Sequence, residues 1–187
     1  MSTPDAFGPA IAMLETSSIA RGIEATDAML KAASVTLLMT TIVPRGKYVV
    51  IIGGDVADVE AARRAGRDVA GPTVIDEFLI QNVHPQLPAA IKGRVKVAAL
   101  EAVGIIETRE IASAIYAGDA AVKAARVTLI EARNQPGAKG MVVLTGDVGA
   151  VRSAVAAGVA AITREGMLIA EVVIPFADPA LLKSLTS

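Results

Sequence analysis

The sequence predicts an α+β protein built as α/β sandwiches. It reads as two tandem ferredoxin-like split-βαβ domains with antiparallel sheets and helices on one face. Three observations lead there. Residues 13–37, MLETSSIARGIEATDAMLKAASVTL, return as residues 105–129, IIETREIASAIYAGDAAVKAARVTL. Glu15 matches Glu107, Asp27 matches Asp119 and Lys31 matches Lys123, and the match runs on without a gap through Pro44 and Pro136 to Gly66 and Gly158. A period this long marks a duplicated domain, not a short solenoid unit. Within each copy the hydrophobic pattern switches between strand and helix in the order β-α-β-β-α-β, the split-βαβ arrangement. The length of 187 residues accommodates two small domains.

The elements follow in order. Residues 1–8 are polar and Gly/Pro-bearing and read as a loose tail. Residues 9–16 are a short apolar strand. Apolar residues at Ile19, Ile23, Met29, Leu30 and Ala33 then fall near helical spacing over 17–33, with Ser17 or Ser18 as N-cap. The β-branched stretch 35–43 is a buried strand. Pro44-Arg45-Gly46 breaks it into a hairpin connection, and residues 48–52 return as the next strand. Asp55 suits the N-cap of a helix over 56–70. A fourth strand over 73–83 and a short helix over 85–91 complete the half. Residues 92–96 link the copies, giving a first domain at 9–92 and a second at 97–187.

Hydrophobic residues make up 53% of the chain and aromatics only 3%. The cores are therefore aliphatic, and so much apolar content in small domains points to subunit interfaces as well as cores. A net charge of −1 offers no electrostatic footprint for nucleic acid. Cysteine is absent, which excludes disulfides and cysteine-held metal or iron–sulfur centres. No secretory signal is evident at the start, and no apolar run is long enough to span a membrane.

No set of residues reads as catalytic. Glu15 and Glu107 precede matched helices but have no second carboxylate, histidine or nucleophile beside them, so they read as bonding backbone at the strand-to-helix turn. His84, the only histidine, aligns with Ile174 and lacks a metal-ligating cluster. Gly53-Gly54-Asp55 and Thr145-Gly146-Asp147 lack dinucleotide and P-loop spacing, and an aspartate at the helix start repels phosphate. Lys31 and Lys123 close matched helices; they read either as cations favouring a helix C-terminus or as rim residues packing through their apolar stems. The hairpin loops 41–47 and 133–140 keep Pro44 and Pro136 and otherwise diverge, and loops on a fixed scaffold often carry function.

The pattern Gly/Ala-x-Leu/Ile-Glu-Thr, then A-x-x-x-x-D-A-x-x-K-A-A-x-V-x-L, then G-D-V-x-x-V, occurs over 12–37 with 54–59 and again over 104–129 with 146–151. It resembles the shell proteins of bacterial microcompartments. The duplication resembles their tandem-domain class in unpermuted order, and Asn82-Val83-His84-Pro85 is most similar to tandem subunits of propanediol-type compartments. Such subunits carry a cysteine in the first hairpin loop for an iron–sulfur cluster. This chain has Val43-Pro44-Arg45 there, so the resemblance implies no cofactor. Many single-domain relatives also carry P-R-P-H near the end of the domain, where Gln86 and Phe176 stand here.

The resemblance implies a structural, non-enzymatic shell tile in the cytoplasm: a homotrimer, pseudohexameric in outline, packing edge to edge with other shell proteins through Lys31 and Lys123. Its pore for small polar metabolites would be lined by Thr41, Ile42, Val43, Pro44, Arg45 and Gly46 from one loop. Asn134, Gln135, Pro136, Gly137 and Ala138 would line it from the other. The fold alone also allows a small-molecule-binding or regulatory protein with a site between its halves.

Overall fold

The computed structural model describes residues 7–162 and 166–186. Most of the expected tail, residues 1–6, lies outside them. The chain divides into two compact units between Pro88 and Ala89. The first runs β1 (Ala10–Thr16), α1 (Ile19–Ala32), β2 (Thr36–Val43), a 3-10 turn over Pro44–Gly46, β3 (Lys47–Gly54), α2 (Val56–Ala70) and β4 (Val74–Ile80). A short helix, α3 (Leu87–Lys92), crosses the division. The second unit repeats the order as β5 (Ala102–Thr108), α4 (Ile111–Ala124), β6 (Thr128–Asn134), β7 (Gly140–Gly146), α5 (Val148–Ile162), β8 (Leu168–Ile174) and α6 (Leu181–Thr186).

Each unit holds a four-stranded sheet, ordered β2-β3-β1-β4 and β6-β7-β5-β8, with every pairing antiparallel. This is the split-βαβ sheet the pattern predicts. Strand alternation sorts the side chains. Ala10, Ala12 and Leu14 of β1 join Val50 and Ile52 of β3 in a core completed by Ala25 and Met29 of α1 and by Val59 and Ala62 of α2. In the second unit Val103, Ile130 and Val143 gather Val97, Leu100 and Leu185. The connecting segment is therefore not a free linker: Val97 and Leu100 pack on this cluster, and the Val95 amide donates to the Ile130 carbonyl at 2.8 Å.

Several expectations need correction. Residues 7 and 8 are not loose, because Gly8 packs directly on the backbone of Gly54. Strand β4 ends at Ile80 rather than at residue 83. Asn82 takes a left-handed φ of 55°, and Val83 leaves the ladder to donate its amide to the Pro9 carbonyl. Ser18 caps α1, accepting from the Arg21 amide. Asp55 occupies the N-cap of α2 without a side-chain bond, whereas Asp147 accepts from the amides of Gly149 and Ala150 at the start of α5.

Residue His84 does not match Ile174. Ile80 and Ile174 both pair with the start of their central strand, because α2 ends at Ala70 with β4 starting at Val74, whereas α5 ends at Ile162 with β8 starting at Leu168. The true counterpart is Asp178. The Nδ1 of His84 accepts from the Gln86 amide at 3.3 Å, and the Oδ1 of Asp178 accepts from the Ala180 amide at 2.8 Å. Both residues also accept at their carbonyls from the first residue of the following helix, Leu87 or Leu181. The histidine thus imitates an aspartate turn that leads into a short helix.

Candidate functional site

The two hairpin loops diverge in sequence but share one backbone design. Ile42 pairs with Tyr48 at the base of the first, and Asn134 with Gly140 at the base of the second. Each loop then has proline, Pro44 or Pro136, followed by two left-handed residues. Arg45 and Gly46 have φ of 69° and 73°; Gly137 and Ala138 have 86° and 66°. Proline pre-sets the first torsion, and the left-handed pair reverses the chain. Each loop offers glycine at only one of its two left-handed positions. The other is filled by Arg45 or Ala138, at a cost of roughly 1–2 kcal/mol for an L-residue. Gly140 serves packing instead: a Cβ there would lie 2.5 Å from the Glu110 carbonyl oxygen.

Both loops are anchored by the same ion pair. Lys47, at the end of the first, donates to Glu15 at 2.9 Å, and Lys139 donates to Glu107 at 2.6 Å. The two glutamates therefore hold hairpin ends rather than backbone groups at the strand-to-helix turn. The repeat carried this signal, because Lys47 and Lys139 are matched positions. Glu15 is buried, so its pairing is obligatory; Glu107 is more open.

The residues assigned to the pore fall into three groups. Ile42, Pro44, Arg45, Gly46, Pro136 and Gly137 are exposed, while Thr41, Asn134, Gln135 and Ala138 are half-buried. Val43 is buried in the core and presents no side chain at the tip. Arg45 makes no hydrogen bond or ion pair among the described residues. Gln135 turns inward, its amide donating to Glu131. At the other assigned position, Lys31 pairs with Asp27 at 2.5 Å on an exposed helix face, and Lys123 pairs with the buried Asp119.

Two matched cavities open where α2 and α5 begin. One, of about 430 Å³, is lined by Pro9, Asp55 and Asn82 among others; the second, of about 400 Å³, by Glu101, Asp147 and Phe176. Neither lining contains a nucleophile with an adjacent base.

Two copies of one α/β sandwich, each with a hairpin tip braced by a lysine–glutamate pair, define a tandem-domain protein. The BMC domain matches the chain twice, over residues 10–83 and 102–177, and the chain belongs to that family: it is a shell protein of bacterial microcompartments. The bacterial microcompartment shell protein PduT of Citrobacter freundii is 40% identical over 168 residues, covering 89% of this chain and 91% of that protein. The single-domain shell protein EutM of Salmonella typhimurium is 45% identical over 76 residues, 41% of this chain and 79% of its own. Among solved structures, a microcompartments protein from Desulfitobacterium hafniense DCB superposes with a TM-score of 0.89 at 48% identity, covering 93% of this chain and 98% of that one. No helix among the described residues is long and apolar enough to cross a membrane.

Proposed function

We propose that the chain is a shell tile that works as a homotrimer, pseudohexameric in outline. It packs edge to edge with other shell proteins in the cytoplasmic compartment, and its hairpin tips surround a pore for small polar metabolites. The observation that carries the trimer is an inequality between matched helices. Ile23 and Leu30 of α1 are 54% and 41% exposed, whereas their counterparts in α4, Ile115 and Val122, are 0% and 5% exposed. Asp27 is likewise open and Asp119 buried. These positions form one stripe at i, i+4 and i+7. The sheets repeat the inequality: Phe78 of β4 is buried, while Val172, at its place in β8, is exposed.

Surfaces covered in one copy and bare in the other are two different patches awaiting a partner. An interface between unlike patches closes into a ring when its rotation permits. A second copy of the chain supplies the missing cover for both. Light scattering of the purified protein is expected to give three chains per particle; a stable monomer overturns the reading.

The edge assignment makes a separate prediction. Lys31→Ala with Lys123→Ala is expected to leave trimers intact and to abolish extended sheets in electron micrographs. Lys31 is exposed and its loss costs the fold little, whereas Lys123 partners the buried Asp119, so its loss lowers stability as well and thermal unfolding is measured beside the micrographs. Unchanged sheets would remove both lysines from the edge.

The polarity of the pore rests on Arg45. A strained, unpartnered arginine at a loop tip is retained against its backbone cost, and such outliers point to function. Three copies around one axis form a positive ring that favours anionic and polar solutes over cations.

A further inference from the structure

The second hairpin loop has a brace that the first lacks. Met39 and Glu131 hold the same place, each just past the irregularity in its edge strand, opposite Ile51 and Val143 respectively. Glu131 is 1% exposed. The Nε of Arg94 donates to its Oε2 at 2.5 Å, and the amide of Gln135 donates to its Oε1. Arg94 is itself fixed: its Nη1 donates to the Ser184 carbonyl at 3.3 Å, and the neighbouring Val95 is tied by its amide to Ile130.

A carboxylate removed from water must be partnered, and bonds to it are charge-assisted and stiff. Water cannot readily replace these partners, because the oxygens are buried. The loop beyond Gln135 has little else to hold it. Its far end is tied by Lys139 to Glu107, a more open pair of smaller worth. Within the turn, the backbone amide of Gln135 donates to the Lys139 carbonyl at 2.7 Å.

We infer that Glu131 is the positioning residue of the second hairpin tip: held from behind by Arg94, it grips Gln135 and fixes the conformation that residues 135–139 present to a passing solute. This rests on the reading of the tips as pore lining. Gln135 then anchors the tip from within, and Asn134 carries the amide that remains to meet the solute. The two sets of tips differ in mechanics as well as charge: both have the proline and the lysine–glutamate anchor, and the second adds the Arg94–Glu131–Gln135 brace.

The test removes the brace without leaving a lone buried charge. Arg94→Leu with Glu131→Met restores the apolar choice made at Met39, and exchanging both members of a buried pair for apolar groups is tolerated far better than removing one. In the assembled protein, hydrogen exchange of the amides of Gln135 and residues 137–139 is expected to accelerate at least tenfold, with the amides of residues 45–47 unchanged. In reconstituted shells, entry of bulky neutral solutes relative to small ones is expected to rise severalfold. Should the double variant fail to fold, Gln135→Leu, which leaves the Arg94–Glu131 pair in place, gives the same two readouts. Unchanged exchange overturns the inference whatever the flux. Faster exchange with unchanged size selectivity overturns the positioning role if Arg45→Glu still alters passage. If neither variant alters passage, the pore reading is what fails.

Discussion

Ile23→Asp with Leu30→Asp is expected to convert the proposed trimer into a folded monomer at micromolar concentration. Ile23 is 54% and Leu30 41% exposed in the chain, so the substitutions should change monomer stability by no more than about 1 kcal/mol each. Across the proposed interface the balance differs. Each junction loses the burial of two aliphatic side chains, about 1–2 kcal/mol apiece. Each must also accommodate carboxylates facing an apolar patch, at a cost of several kcal/mol more. The loss recurs at every junction of the ring. Sedimentation or light scattering reads the change directly. The matched substitution Ile115→Asp should do the opposite: its side chain is buried within the chain, so it should destabilise the fold by about 3 kcal/mol or more. Trimers that survive the first pair would exclude the α1 stripe as the interface.

Arg45→Glu is expected to lower anion entry into assembled shells, relative to neutral solutes of similar size, by about tenfold. A unit charge acts on an ion ~8 Å away in water with roughly 0.5 kcal/mol. Three arginines therefore favour an anion by about 1.5 kcal/mol, and three glutamates disfavour it by a similar amount. Salt at physiological strength screens charges over about 8 Å and removes part of the difference. The effect should accordingly shrink as salt is raised. A second readout comes from the same position. Arg45→Gly relieves the left-handed strain and should stabilise the protein slightly while also losing anion preference, which separates charge from backbone shape. If the anion-to-neutral ratio does not move in either variant, Arg45 does not set selectivity.

The sheet order and the helices were legible in the sequence because their causes are local. The β-branched run 35–43 marks a strand, although it is not the buried strand expected, since only Leu38 and Val43 of β2 are buried; the 19–33 periodicity permits one buried helix face, and the duplication supplied every signal twice. The Lys47–Glu15 pair was also within reach, since both members recur at matched positions. Other features had no local signature. The contrast between Ile23 and Ile115 is invisible in the residues, which are identical. The left-handed residues were half-visible, because Gly46 and Gly137 mark one position each while Arg45 and Ala138 disguise the other. The register of His84 was misjudged because a longer connection before β8 shifts the repeat. The inward turn of Gln135 required knowing that residue 94, distant in sequence, delivers a cation beneath the loop.

The substitution of glutamate for methionine between the halves has a consequence for folding. Two sheets of the same topology and similar sequence can exchange strands as the chain folds, and such swapping is a characteristic failure of repeated domains. The β2 and β6 strands are candidates, since each, like β4 and β8, pairs with one neighbour in its sheet. If β2 took the place of β6, Met39 would lie where Arg94 needs a carboxylate. If β6 took the place of β2, Glu131 would lie half-buried where Met39 stands, with no Arg94 to meet it. Either mispairing leaves a half-buried charge without its partner, at a cost of about 1–3 kcal/mol. The buried pair that braces the tip thus doubles as an identity mark, by which nascent halves reject each other's strands before the apolar cores can close around an error.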